Sequence, residues 1–261
     1  MPVIHILGLI LPPPPFIDIT CKDMPTVNFK PEGTGLDIAI TIKMSHSLID
    51  IECNVNRFVE DDIGHILKIT VDLARAAVNL VGFMMGYGLI VHMHTLVRPD
   101  GTRTVLLPQN PQLAAVCTAF SLKPSKTREE NDMNTVASIV FADPQLFIAL
   151  DDLIGSQIIP HSIPINCGRV VEAIRHMISP ALSGKRDEGW QAMRSALRLD
   201  RSYLQMTTDN SKGGRHGDRS FISGPVTLEI QKRAWTIMNR FLEFRKRNNQ
   251  PLPVDEFPVL S

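Results

Sequence analysis

The sequence predicts an α+β protein: an N-terminal antiparallel sheet with a long covering helix, followed by a C-terminal helical bundle. Two observations lead there. In the first hundred residues, short segments alternate apolar with polar or small side chains, the period of half-buried strands. Beyond about residue 135, apolar residues recur three and four apart, the period of helices.

The elements follow in chain order. Ile4 to Leu11 (IHILGLIL) is a buried strand ended by the proline run Pro12 to Pro15. Leu36 to Ile42 and Leu48 to Val55 are neighbouring antiparallel strands. Asp61 to Met85 places Ile63, Ile66, Leu73, Ala77 and Leu80 at helical spacing, with Gly86 and Gly88 as stop signals. Leu89 to Val97 and Thr104 to Leu107 flank RPDGTR, whose Pro-Asp-Gly is turn chemistry, and so form a hairpin. The polar stretch Pro124 to Asn134 reads as a linker, dividing a sheet domain (1–123) from a bundle (135–261). Helical patterns then cover Asp143 to Leu153, Gly168 to Ile178, Asp187 to Leu199 and Thr227 to Arg247. Between the last two, Thr207 to Pro225 (TTDNSKGGRHGDRSFISGP) is rich in Gly and polar residues, and is expected to be a long loop.

Composition bounds the class. At 44% hydrophobic and 21% charged residues, a chain of 261 residues has enough apolar side chains for a sizeable core. The four cysteines are widely spaced and contain no CxxC pair, so free thiols and a cytoplasmic setting are expected. Ile4 to Leu11 is far short of the roughly 20 residues that span a bilayer, so no membrane partner is expected. The net charge of zero hides a split: residues 1–160 carry 11 Lys and Arg against 17 Asp and Glu, a net of −6, and residues 161–261 carry 16 against 10, a net of +6.

That basic half directs the search for function. In the 207–225 stretch, Asn210, Lys212, Arg215, His216 and Asp218 supply donors, an acceptor and a group that titrates near neutral pH, while its glycines allow close backbone approach to a ligand. On the last helix, Lys232, Arg233, Arg240, Arg245, Lys246 and Arg247 leave the apolar stripes and form a basic face. Lys212, Arg215, Arg219, Lys232, Arg233 and Arg240 are therefore the expected contacts for the phosphates of RNA or DNA, or for an acidic protein. The apolar circumference of the same helix suits a core or a subunit interface, and a homo-oligomer, most simply a dimer through the C-terminal helices, is expected.

Other clusters carry less. His92 and His94 alternate on one strand face, but two ligands do not complete a metal site, and neither a metal nor a cofactor is expected. Asp151-Asp152 and Glu60-Asp61-Asp62 read as carboxylates at helix ends. Cys167, just before a helix, reads as structural.

The segments DNSKGGRHGDR (Asp209 to Arg219), AWTIMNRFLEFRKRNNQPLP (Ala234 to Pro253) and AIRHMISP (Ala173 to Pro180) resemble a C-terminal block of uncharacterised bacterial proteins. Asn210 and His216-Gly217 are also similar to the polar segment of the HEPN superfamily, helical bundles found in toxins and defence nucleases. That resemblance implies a metal-independent ribonuclease with His216 as general acid or base, Arg215 stabilising phosphate charge and Asn210 orienting the site. The HEPN motif leaves four to six residues between an Arg and its His, and no Arg stands so before His216; Arg169 and His176 have six residues between them, but Val170 replaces the polar neighbour. Three functions thus stand open: a non-catalytic interaction protein with a basic loop and helix face, a HEPN-like ribonuclease, and a metal-dependent enzyme using His92 and His94.

Overall fold

The computed structural model describes residues 1–21, 24–31, 34–106, 111–116, 132–158, 160–182, 185–215 and 222–261. The chain divides into two compact units, Met1–Leu107 and Pro108–Ser261.

The first unit is a six-stranded antiparallel sheet: β1 (Val3–Leu11), β2 (Val27–Phe29), β3 (Ile38–Ser45), β4 (Leu48–Val55), β5 (Ile90–Val97) and β6 (Arg103–Val105), in the order β2-β3-β4-β1-β5-β6. Strict alternation buries Ile4, Ile6 and Ile10, Ile38, Ile40 and Ile42, and Ile49, Ile51, Cys53 and Val55 on one face. Helix α1 (Ile63–Met85) covers that face through Ile66, Ala74, Ala77 and Val78. The opposite face carries ion pairs, Lys43 with Glu52 at 3.0 Å and His5 with Asp50 at 2.9 Å. Gly86, at φ 70°, ends α1 in the left-handed conformation, and the Tyr87 N–H returns to the Gly82 carbonyl at 2.9 Å. The α+β architecture and the strands expected from the alternation are present, and β2 is an addition too short to carry a period.

The second unit is helical: α2 (Pro111–Ala115), α3 (Asp132–Phe141), α4 (Pro144–Ile158), α5 (Ile163–Ile178), α6 (Arg186–Leu197), α7 (Arg201–Arg215) and α8 (Gly224–Lys246). Helix α5 is its centre, with Cys167, Val170, Val171 and Ile174 fully buried and α4, α6, α7 and α8 packed around it. Pro225 stands in the first turn of α8, where a missing N–H is harmless. Of the expected linker, residues 124–131 lie outside the described residues, and 132–134 already belong to α3. Asp151 and Asp152 sit inside α4 rather than at its end, and Asp152 is held by Arg169 at 3.2 Å.

The main correction concerns the expected loop. Helix α7 continues through Thr207 to Arg215, so the first half of that stretch is helical; 216–221 lie outside the described residues. The Ser, Thr and Asn side chains that signal a turn instead bond back along the helix: Thr208 Oγ1 donates to Leu204 O, Asn210 Nδ2 to Met206 O and Ser211 Oγ to Thr208 O. Thr207 and Ser211, four apart, are completely or almost completely buried, and α7 lies directly on α5. That packing offsets the roughly 1 kcal/mol that each glycine in SKGGR costs a helix.

Each unit also buries a thiol. Burial pushes Cys53 and Cys167 up from an ordinary 9.0 to about 12. The folded state therefore keeps both protonated where the unfolded chain ionises, so their contribution to stability is complete below pH 9 and is lost as pH rises towards 12. Iodoacetamide at pH 8, read by peptide mass spectrometry, is expected to label the half-buried Cys21 in the native protein, and Cys53 and Cys167 only after denaturation.

Candidate ligand-binding cleft

Helices α6 and α7 form a hairpin joined by a tight turn in which Arg198 adopts a left-handed φ of 55°. Both lean on α5, and a cleft of about 470 Å³ opens between them. Trp190 lies half-buried in its wall beside Leu204. Glu172 of α5 binds two arginines, Arg175 at 3.2 Å and Arg186 at 3.0 Å. The buried Arg175 guanidinium also lies 5.2 Å from the Trp190 ring centre, which fixes the indole from behind.

Four cations line the cleft, and two already have carboxylate partners. Arg186 is paired with Glu172, and Lys212 with Asp209 at 2.7 Å. Arg194, near the end of α6, and Arg201, at the start of α7, line the closed end of the hairpin and have no ion-pair partner among the described residues. The open end holds Asp187 and Glu188 in the first turn of α6. Charge at that end is mixed, because Arg186 and Lys212 stand there too and Glu188 is paired with Lys185 at 3.3 Å, whereas the turn end carries the two cations without such partners.

The residues singled out by sequence are dispersed. Asn210 is on α7 with its amide spent on the Met206 carbonyl at 2.7 Å. Lys212 lines the cleft. Arg215 is the last residue of α7, while His216 and Arg219 lie outside the described residues. Lys232 is exposed on α8. Arg233 pairs with Glu229 at 2.6 Å, donates to the Tyr203 carbonyl at 3.2 Å and stacks 4.6 Å from the Tyr203 ring. Arg240 is not on a solvated face at all: it is 6% exposed, and its guanidinium donates to the carbonyls of Leu197, Arg198 and Pro258 at 2.8–2.9 Å. The helix turns that residue inward, where burial pulls its pKa below the ordinary value. Arg245 pairs with Asp143 and Arg247 with Glu256.

His92 and His94 stand 6.3 Å apart between ring centres, and His94 Nδ1 is 2.8 Å from Thr95 Oγ1. Among the described residues no group of three His, Cys, Asp or Glu is placed to hold a metal ion. The raised pKa of Cys167 removes the thiolate that a nucleophilic role would need.

Trp190, Arg194 and Arg201 are the residues that sequence reasoning did not bring together. The missing signal was α7 itself: once it is helical, Arg201, Gln205, Thr208 and Lys212 recur at four, three and four and form one polar stripe. Residues 6–107 match the DUF8168 N-terminal domain, and residues 133–246 match the DUF8168 C-terminal domain, both described as domains of unknown function. The chain belongs to the DUF8168 family. The first match ends where the sheet unit ends, and the second closes on the last residue of α8, with the whole cleft inside it. No curated protein and no solved structure matches the chain, and the HEPN likeness gains no support from the family. Among the described residues no helix is long and apolar enough to cross a membrane.

Proposed function

We propose that the helical unit is a non-catalytic binding module that takes single-stranded nucleic acid across the α6–α7 cleft. The observation that supports this most is the pair Arg194 and Arg201, which line the cleft beside Trp190 without counter-ions among the described residues. A planar base stacks on the free face of an indole for about 1–3 kcal/mol, and an arginine fork meets a phosphate with two parallel hydrogen bonds. The cleft volume is in the range of small-ligand pockets, enough for a nucleotide or so. At the mouth the carboxylates of Glu188 and Asp209 are paired with Lys185 and Lys212, so Arg194 and Arg201 at the closed end are the stronger attraction for an anionic backbone. Lys212, at the opposite end of α7 from Arg201, is a third phosphate contact when a phosphate displaces Asp209 from it.

With two or three phosphates engaged, binding is modest and salt-dependent. Each phosphate contributes a slope of about −0.7 in log affinity against log salt for a single strand. Fluorescence anisotropy of a labelled oligonucleotide at increasing NaCl is expected to show a slope of roughly −1.5 to −2. Arg194→Ala with Arg201→Ala should lower affinity at least about tenfold and flatten the slope, with Trp190 fluorescence no longer quenched. Absence of binding at low salt, or an acidic peptide competing as well as the oligonucleotide, would overturn the nucleic-acid reading.

A further inference from the structure

The sheet unit has a surface that its own fold leaves uncovered. At the C-terminal end of α1, Leu80, Phe83 and Met84 form an outward stripe that continues to Tyr87 just past the helix. Phe83 is 85% exposed and Met84 76%, and Met85 and Ile90 are also exposed nearby. With about 150–250 Å² per large side chain, this patch presents on the order of 700 Å². A typical monomer exposes a largest apolar patch of roughly 300–600 Å², and a standard interface buries about 800 Å² per partner. Beside the stripe runs an apolar groove of about 230 Å³ between α1 and β2, lined by Leu73, Ala76 and Ala77 on one side and Met24, Val27 and Ile42 on the other.

We infer that this face binds a second copy of the chain, with the two α1 helices antiparallel about a twofold axis at Leu80. In an isologous contact residue i meets j while j meets i. An axis at Leu80 sets Phe83 against Ala77, Met84 against Ala76 and Tyr87 against Leu73, each twice. Phe83 and Met84 of one copy therefore meet the small Ala77 and Ala76 of the other, which lets the helices approach to the 8–10 Å of close packing, and Tyr87 meets Leu73 at the ends of the contact. From Ala76 to Val91 the sequence contains no residue charged at neutral pH, so the juxtaposition opposes no like charges. The same absence of Lys and Arg argues against a lipid surface, where interfacial helices carry cations beside their apolar face. The surface lies in the sheet unit, whereas the sequence pointed to the C-terminal helices for self-association.

Sedimentation velocity on the full chain is expected to show a concentration-dependent dimer. Phe83→Asp should raise its dissociation constant at least about 100-fold while leaving the thermal melt unchanged at protein concentrations where the wild type is also monomeric, because Phe83 has almost no contacts to lose within its own fold. In a background with Cys21 and Cys117 replaced by Ser, Leu80→Cys should form a reducible intermolecular disulfide, and Phe141→Cys, at a more exposed position in the helical unit, should not. A monomeric wild type, a dimer that Phe83→Asp does not weaken, or no cross-link at Leu80→Cys overturns the proposal. So does flotation of the wild type with phosphatidylcholine vesicles in place of dimerisation, which would assign the face to lipid.

Discussion

Arg240→Ala is expected to destabilise the helical unit by about 3–5 kcal/mol, and to do so without weakening the cleft's hold on nucleic acid in the fraction that stays folded. The reason is the set of acceptors it serves. Leu197 O and Arg198 O are at the C-terminal end of α6, where no helical N–H follows to satisfy them, and Pro258 O belongs to the returning C-terminal segment. That segment is tied to the same turn by backbone bonds, Asp200 N–H to Leu260 O at 2.7 Å and Leu260 N–H to Arg198 O at 3.1 Å. One guanidinium thus staples α8, the α6–α7 turn and the C-terminus, and the Ala variant removes it from all three carbonyls, of which Arg198 O keeps the Leu260 N–H. At about 2–4 °C per kcal/mol for a unit of this size, the thermal midpoint should fall by on the order of 10 °C. Arg240→Lys should recover little, because a single ammonium does not span the positions that the planar fork reaches. If Arg240→Ala instead retained the wild-type midpoint and lost only oligonucleotide affinity, the residue would belong to the binding surface and its structural role would be wrong.

Arg240 also shows where sequence reasoning reaches its limit. The period of α8 was legible, as were its apolar stripes, but a wheel assigns a long cation to solvent unless something is known of what it can reach inside. Here the acceptors come from residues 197, 198 and 258, distant in sequence, and nothing in the pattern of α8 announces them. The sheet was easier. Its Ile-rich alternation in β1, β3 and β4 is a strictly local signal, and a one-residue slip would expose every buried Ile. Helix α7 failed for the opposite reason: its local signal, Gly-Gly with Ser, Thr and Asn, was strong and pointed to a turn, and the burial of Thr207 and Ser211 against α5 outweighed it. Because α7 supplies half of the cleft, misreading it also hid Arg201 and the stripe it begins. The exposed end of α1 was legible in part, since the helix was read correctly, but which of its apolar residues remain uncovered depends on the width of the sheet beneath it.

Gly8→Val is expected to cost the sheet unit about 3 kcal/mol or more, against an intrinsic strand preference that favours Val over Gly by up to about 1 kcal/mol. The two effects have opposite signs, which makes the outcome decisive. Gly8 lies on the buried face of β1, between β4 and β5, where the β1–β5 register shifts: Leu7 pairs with Thr95 and Gly8 with Met93. A Cβ at Gly8 would stand 2.7 Å from the backbone oxygen of His92 and 2.5 Å from Met93 Sδ. The sulfur can move, being near the end of a flexible side chain. The carbonyl cannot move without disturbing a ladder held by β1 on one side and, further along, by β6 on the other. Met93→Ala should therefore relieve only part of the penalty in a double variant, and Gly8→Ala should already destabilise because it too places a Cβ against His92 O. Chemical denaturation followed by far-ultraviolet circular dichroism reads each of these. A Gly8→Ala variant more stable than wild type would mean that β1 and β5 have room to separate at the register shift, and that strand propensity rather than close approach decides the residue at this position.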